Sequence, residues 1–137
     1  MAMKPLLLGA MSALAAAGLL AAGALAAETQ RGPRVLDPIA GGSWEVTQLE
    51  SKAKPRRFCV RDVSLLAQYE HMGTTCTRVT VNEGPRKALV RYTCPAGGFG
   101  TSGIEVVTPR SLNIETQGIK DGQPFNRRLL ARRVGGC

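Results

Sequence analysis

The stretch that decides the fold is "SLNIETQGIKDGQPFNRRLLARRV", residues 111–134. In its first half, Leu112 and Ile114 alternate with polar residues, which is the period of a strand with one face buried and one face in water. The dipeptide Asp121-Gly122 is typical of a tight hairpin turn, and a second apolar-rich segment follows it. The stretch therefore predicts two antiparallel strands.

The same rhythm of short strand-like segments and turns extends upstream. Four further segments are rich in β-branched or alternating apolar residues: 43–51, 76–82, 86–94 and 103–108. Turn residues separate them, among them Gly84-Pro85 and Pro109. We predict a mainly β (α+β) domain, an antiparallel meander of about six strands that forms a curved sheet or an open barrel.

One short helix is predicted after the first strand, within "RDVSLLAQYEHMG", residues 61–73. Asp62 stands at the N-cap position and Gly73 ends the segment. The apolar residues fall at helical spacings of three and four: Leu65, Leu66, Tyr69 and Met72. Because so short a helix is marginal alone, we expect its apolar side to dock on the sheet.

Residues 1–26 have the three parts of a secretory signal peptide. Lys4 supplies the positive charge, an Ala-rich apolar run follows, and small residues precede a cleavage site after Ala26. A membrane anchor is the alternative, but no basic cluster directly follows the run. We predict an extended lead-in over 27–42, a single β-rich domain over 43–137, and a periplasmic protein that is not an integral membrane protein after cleavage.

All four cysteines lie beyond the signal: Cys59, Cys76, Cys94 and Cys137. An even number in an oxidising compartment indicates disulfides. A zinc site needs closely spaced ligands, which these gaps do not provide, and a thiol nucleophile with His71 as its base would have to stay reduced. We therefore predict no metal, no cofactor and no catalytic residue.

The pairing of the cysteines depends on the register of one hairpin. A three-residue loop beginning at Gly84 places Cys76 opposite Cys94, as a cross-strand bridge requires. A two-residue loop instead places Val79 opposite Val90 and gathers the apolar residues on one face, and a bulge near Gly84 would reconcile the two. Of the three connectivities, we predict Cys76 with Cys94 and, by elimination, Cys59 with Cys137.

The order of several motifs resembles a known family. These motifs are Gly-x-Trp-Glu-Val over 42–46, the four cysteines, a Gly-rich strand over 97–103 and Arg-Arg-x-Gly-x-Cys over 132–137. Together they resemble the domain of unknown function 3617 family of small exported bacterial proteins, across nearly the whole exported chain. The resemblance implies a periplasmic location and a small β-rich fold, without an established reaction.

The chain carries a formal net charge of +8. Basic residues form two groups: Arg127, Arg128, Arg132 and Arg133 near the C-terminus, and Lys54, Arg56, Arg57 and Arg61 before the helix. The C-terminal group is a candidate anion-binding site for an anionic envelope component. The alternative is a solvated face whose charges protect an edge strand from pairing with another chain. Nucleic acid is not expected, because no aromatic residues interleave with the arginines.

Two motifs that resemble active-site loops are weak. The glycines of "GGFGTSG", residues 97–103, lack the lysine and the following helix of a phosphate-binding loop, and they indicate a bulge or bend. Ser102 lacks the frame of a nucleophilic serine and is interpreted as a turn residue. We expect an exported, non-catalytic protein that binds a small apolar ligand, an anionic envelope component or a protein partner. The alternative is a periplasmic enzyme with an unrecognised active site.

Overall fold

The structure, a computed structural model, describes residues 32–137, so the predicted signal peptide and residues 27–31 lie outside the described part. Seven strands form one open antiparallel sheet: β1 (Gly42–Gln48), β2 (Arg56–Val60), β3 (Thr77–Glu83), β4 (Lys87–Thr93), β5 (Phe99–Thr108), β6 (Ser111–Lys120) and β7 (Gln123–Gly135). Their order is β2-β1-β7-β6-β5-β4-β3. The predicted mainly β, disulfide-bonded fold is confirmed, with one strand more than expected.

Alternation along the strands sorts their side chains onto a covered face and an open face. The largest fully buried side chains of the sheet lie on the covered face, and they include Trp44, Tyr92, Ile104, Leu112, Ile114 and Leu129. A nine-residue 3-10 segment, Val63–His71, packs on this face against β5, β6 and β2. The core is therefore a single layer between the sheet and this segment.

The helical segment differs in type and position from the prediction. It follows β2 rather than β1, it is a 3-10 helix, and non-helical backbone angles interrupt it at Gln68. The side chain of Asp62 accepts a hydrogen bond of 2.9 Å from the backbone nitrogen of Ser64, as the predicted cap requires. Leu66 is buried in the core, so the apolar side docks on the sheet.

The strand that was not predicted, β2, lies just before the 3-10 segment in the sequence. Its side chains alternate, with Phe58 and Val60 facing the core and Arg57 and Cys59 exposed. Phe58 contacts Tyr69 of the 3-10 segment edge to face, with ring centroids 5.8 Å apart. This packing fixes the edge strand to the core.

Part of the predicted lead-in belongs to the domain. Residues Arg34–Leu36 form a 3-10 turn rather than an extended segment, and Leu36 and Ile39 are buried in the core. Arg34 also donates to the carboxylate of Glu83 at the end of β3, with a distance of 2.7 Å between Nε and Oε1. The folded unit thus begins before residue 42, because these two apolar side chains complete the covered face.

The β3–β4 hairpin has the register that places Cys76 opposite Cys94. Thr77 pairs with Thr93, and Thr80 pairs with Val90, as the three-residue loop requires. The bulge lies between Thr80 and Asn82 rather than near Gly84. As a result, Val79 faces the open side, 47% exposed, and the alternative register that buried it is wrong.

Two disulfides close the fold. Cys76 is bonded to Cys94 across the open end of the β3–β4 hairpin, with a Cα–Cα distance of 4.2 Å, and both are buried. Cys59 of β2 is bonded to Cys137, which follows β7, with a Cα–Cα distance of 5.5 Å. Because β1 lies between β2 and β7, the second bridge ties together the two strands that flank β1. The described residues contain no free cysteine.

Candidate binding groove

The open face of the sheet carries apolar side chains that nothing in the described part of the chain covers. Leu49, Val79, Leu89 and Phe99 are each 37–49% exposed and lie on this side. Exposed apolar residues that share one face are a common sign of an interaction surface. The open face therefore presents a candidate interaction surface.

A groove of about 610 Å³ crosses the open face from the end of β1 to the β3–β4 turn. One cross-strand row of residues runs along it, and from β3 to the end of β1 its members are Asn82, Leu89, Gly103, Glu115, Arg128 and Leu49. Each residue stands opposite the next on a neighbouring strand. Leu89 lies near one end of the row, Leu49 lies at the other end, and the carboxylate of Glu115 lies between them.

Gly103 leaves the floor of the groove open on β5. A Cβ atom added there would meet only the carbonyl oxygen of Glu115, at 4.0 Å. A side chain would thus fit without a clash, and it would project into the groove because residue 103 faces the open side. Space in the groove therefore depends on the absence of a side chain at this residue.

Most charged groups of the groove are paired. Lys87 Nζ lies 3.7 Å from Glu105 Oε1, and Arg128 forms an ion pair with Glu50. Glu83 is paired with Arg34, and the hydrogen bond from that guanidinium holds the pKa of the Glu83 carboxyl below its usual value.

Glu115 differs from these residues. Among residues 32–137, it forms no ion pair, although Arg128 stands opposite it on β7. The guanidinium of Arg128 is engaged by Glu50 instead, and the Glu115 side chain is exposed on the open face. Its carboxylate is therefore accessible to a ligand in the groove.

A second set of polar groups is buried on the covered face. The hydroxyl of Ser102 donates to the carbonyl oxygen of Ala67 in the 3-10 segment, 2.5 Å away, and lies 2.7 Å from the Thr116 hydroxyl. Because Ser102 has a single proton and a carbonyl only accepts, the Thr116 hydroxyl is the donor in the second bond. Ser102 is thus a buried strand residue that anchors the 3-10 segment, and its interpretation as a turn residue is wrong.

His71 and Tyr92 extend this polar region. Nδ1 of His71 lies 3.1 Å from the Tyr92 hydroxyl, whereas its Nε2 is buried without a hydrogen-bond partner among the described residues. Burial, and then the charge of Lys120, lower the pKa of His71, so the fold disfavours a charged imidazole. Burial raises the pKa of Tyr92 to about 12.

The glycine-rich stretch before Ser102 makes room for these two rings. A Cβ atom on Gly98 would collide with the imidazole of His71, and one on Gly100 would collide with the phenol of Tyr92. Gly98 and Gly100 therefore serve packing against the His71 and Tyr92 rings.

The four C-terminal arginines do not form one anion-binding patch. Strand alternation places Arg127 and Arg133 on the covered side of β7 and Arg128 and Arg132 on the open side. The anion-binding site predicted from these four arginines is therefore divided between the two faces of the sheet.

Contacts within the domain also engage three of these arginines. Arg127 lies 3.4 Å from Glu70, Arg133 donates to the carbonyl oxygen of Gly41 at 2.8 Å, and Arg128 pairs with Glu50. Arg132 is exposed and stands between Glu45 of β1 and Ser111 of β6.

Within residues 32–137, no group of three or more His, Cys, Asp or Glu side chains is placed to hold a metal ion. No helix in this part of the chain is long and apolar enough to cross a membrane. Comparison of the chain with protein-family models, curated proteins and solved structures finds no match. The resemblance to the domain of unknown function 3617 family stays a prediction from the sequence motifs.

The sequence contained part of the signal for the groove. Alternation alone places Glu115 on the face opposite Leu112 and Ile114, and the same rule applies to Leu89 against Val90. Only the register of the strands, however, brings Leu89 and Glu115 into one row. The groove was therefore missed among the candidate sites predicted from the sequence.

Proposed function

We propose that this protein is an exported periplasmic binding protein without a catalytic role, and that its ligand lies in the groove on the open face. The signal-like residues 1–26 and the two disulfides support export to an oxidising compartment. The resemblance to the domain of unknown function 3617 family agrees with this location.

The observation that carries the binding role is the groove itself. Its volume of about 610 Å³ falls within the usual range for small-molecule sites, and its lining places the apolar side chains of Leu49 and Leu89 among charged and amide side chains. It lies on the face that the core does not use. A ligand there would cover apolar surface that is otherwise in water.

The separation of the two faces favours binding over catalysis. His71, Tyr92 and Ser102 lie on the covered face, away from the groove. The described groove lining contains no hydroxyl, thiol or imidazole side chain that would act as a nucleophile. The buried cluster of His71, Tyr92 and Ser102 and the groove are thus on opposite sides of the sheet.

A groove-filling substitution tests the proposal. Wild-type protein, Gly103→Leu and the control Thr101→Leu would be purified from the periplasm without denaturation, and small molecules extracted from each identified by mass spectrometry. Thr101 lies on the same strand and face but does not line the groove. We expect a molecule to co-purify with the wild type and the control only, and equal recovery with Gly103→Leu would exclude the groove.

Intact mass measurement tests export separately. The periplasmic protein should begin at Ala27 and carry no free thiol, because cleavage after Ala26 and two disulfides are proposed. A retained N-terminus, or thiol labelling of the unreduced, denatured protein, would contradict the proposed location.

A further inference from the structure

We infer that the groove selects an amphipathic organic cation, with its charged group at Glu115 and its apolar chain running across Gly103 toward Leu89. This inference rests on the proposed function, since it names the class of ligand for the same groove. It reverses the expectation of an anionic partner that the net charge of the whole chain suggested.

The charges of the groove indicate that the ligand carries a positive group. Lys87 is paired with Glu105, and Arg128 is paired with Glu50, so each basic group in the lining already has an acidic partner. Glu115 lacks an ion pair within the described residues, which leaves an excess of negative charge at the centre of the row. The charge that complements this groove is therefore positive, although the chain as a whole carries +8.

The arrangement of the row carries the second step. Glu115 on β6 is two strands away from Leu89 on β4, a distance of about 10 Å at the usual strand spacing. Gly103 lies between them and provides no side chain to block the path. An alkyl chain attached to a cation at Glu115 therefore has an open path to an apolar contact.

Other ligand chemistries fit less well. An anionic head group would meet Glu115 without a free basic partner, and like charges in close proximity repel. A neutral apolar ligand would cover the Glu115 carboxylate and remove its water without replacing the lost interactions. A cation relieves both penalties, because it faces the carboxylate directly.

Three probes with eight-carbon chains, the carboxyl carbon included, test this inference: octyltrimethylammonium, octanol and octanoate. Each would be titrated into the folded, disulfide-bonded protein while backbone amide shifts are followed by NMR. We expect the cation to bind most tightly, to shift the amides of Gly103 and Glu115, and to lose about fivefold in affinity with Glu115→Gln. Octanol should not lose affinity with that variant and should gain some, because it no longer removes water from a charged carboxylate.

Two further variants separate the possible outcomes. Gly103→Leu should remove binding of every probe from the groove, whereas Thr101→Leu should bind as the wild type does. If octanol or octanoate binds at the groove as tightly as the cation, the inference is overturned while the proposed binding function stands. If no probe shifts the groove amides, both the inference and the proposed function fail.

Discussion

Nδ1 of His71 and the hydroxyl oxygen of Tyr92 lie 3.1 Å apart beneath the 3-10 segment, so that a residue of the segment is joined to a strand of the sheet. The His71 ring also lies edge to face with that of Tyr92, with centroids 5.4 Å apart. Both side chains belong to the covered face. The pair therefore couples the titration of a histidine to the packing of the 3-10 segment on the core.

Acid should destabilise the protein through His71. Burial lowers its pKa in the folded state below the usual value of 6.5, so the unfolded chain binds the proton more readily. The free energy of unfolding should fall as the pH drops below about 6.5 and level off below the folded-state pKa.

Urea denaturation at several values between about pH 5 and 8 measures this dependence. Carboxylates also titrate at the acid end, so the matched variant His71→Gln provides the comparison. Its slope against pH should be smaller in this interval. An unchanged slope would mean that His71 does not take part.

Removal of the Ser102 hydroxyl should weaken the anchoring of the 3-10 segment. Ser102→Ala leaves the buried carbonyl of Ala67 without its donor, which costs about 1–3 kcal/mol of unfolding free energy. Thr101→Ala, at the neighbouring position on the other face, should have a much smaller effect. Chemical denaturation of both variants tests the difference, and equal losses would argue against a specific anchoring role.

Gly118 on β6 should be intolerant of any side chain. A Cβ atom there would collide with the backbone carbonyl of Phe99 on the adjacent strand, which has no freedom to move aside. We expect Gly118→Ala to lower the unfolding free energy by about 1–3 kcal/mol. Gly103→Ala, where space is open, is the control in the same denaturation experiment and should be close to neutral.

The two disulfides should be reduced in sequence under native conditions. Cys59 and Cys137 are exposed, whereas Cys76 and Cys94 are only 3–4% exposed. A mild reductant should therefore open the Cys59–Cys137 bridge first, because thiol–disulfide exchange requires access to the sulfur atoms. Alkylation followed by peptide mass spectrometry identifies the order, and early labelling of Cys76 would contradict it.

The disulfide that is easier to reduce, Cys59–Cys137, should contribute more to the free energy of unfolding than Cys76–Cys94 does. In the loop-entropy model, Cys76–Cys94 closes a short loop and contributes about 3 kcal/mol, whereas the longer loop of Cys59–Cys137 corresponds to about 4.5 kcal/mol. The paired substitutions to alanine should reproduce this order in urea denaturation. The bridge that is reduced first is thus the one whose loss costs more.

The local patterns predicted most strands, because hairpin turns and period-two alternation are properties of neighbouring residues. The alternation of Phe58 and Val60 in β2 was present too, but only five residues form the strand and the first two are arginines. The turn at Arg34–Leu36 was missed for a different reason, since its proline- and glycine-rich surroundings indicate irregular structure. In both cases tertiary packing decides the local conformation.

The candidate site could not be predicted from local sequence patterns, because it depends on contacts between residues that are distant in the sequence. The bulge at Val81 and the close approach of Gly100 to the Tyr92 ring depend on which residues meet across strands. The four arginines near the C-terminus look like one cluster in the sequence, yet alternation along β7 divides them between two faces. The position of Glu115 between Leu89 and Leu49 likewise requires the full strand order.

The pairing of β1 with β7 has a consequence for the order of folding. Trp44 pairs with Arg133, so the edge of β1 that faces away from β2 forms its hydrogen bonds with β7, the last strand in the sequence. The hairpins from β3 to β7 can form from neighbouring segments, whereas β1 acquires its second neighbouring strand only from residues 129–135. The sheet is therefore completed only when β7 pairs with β1.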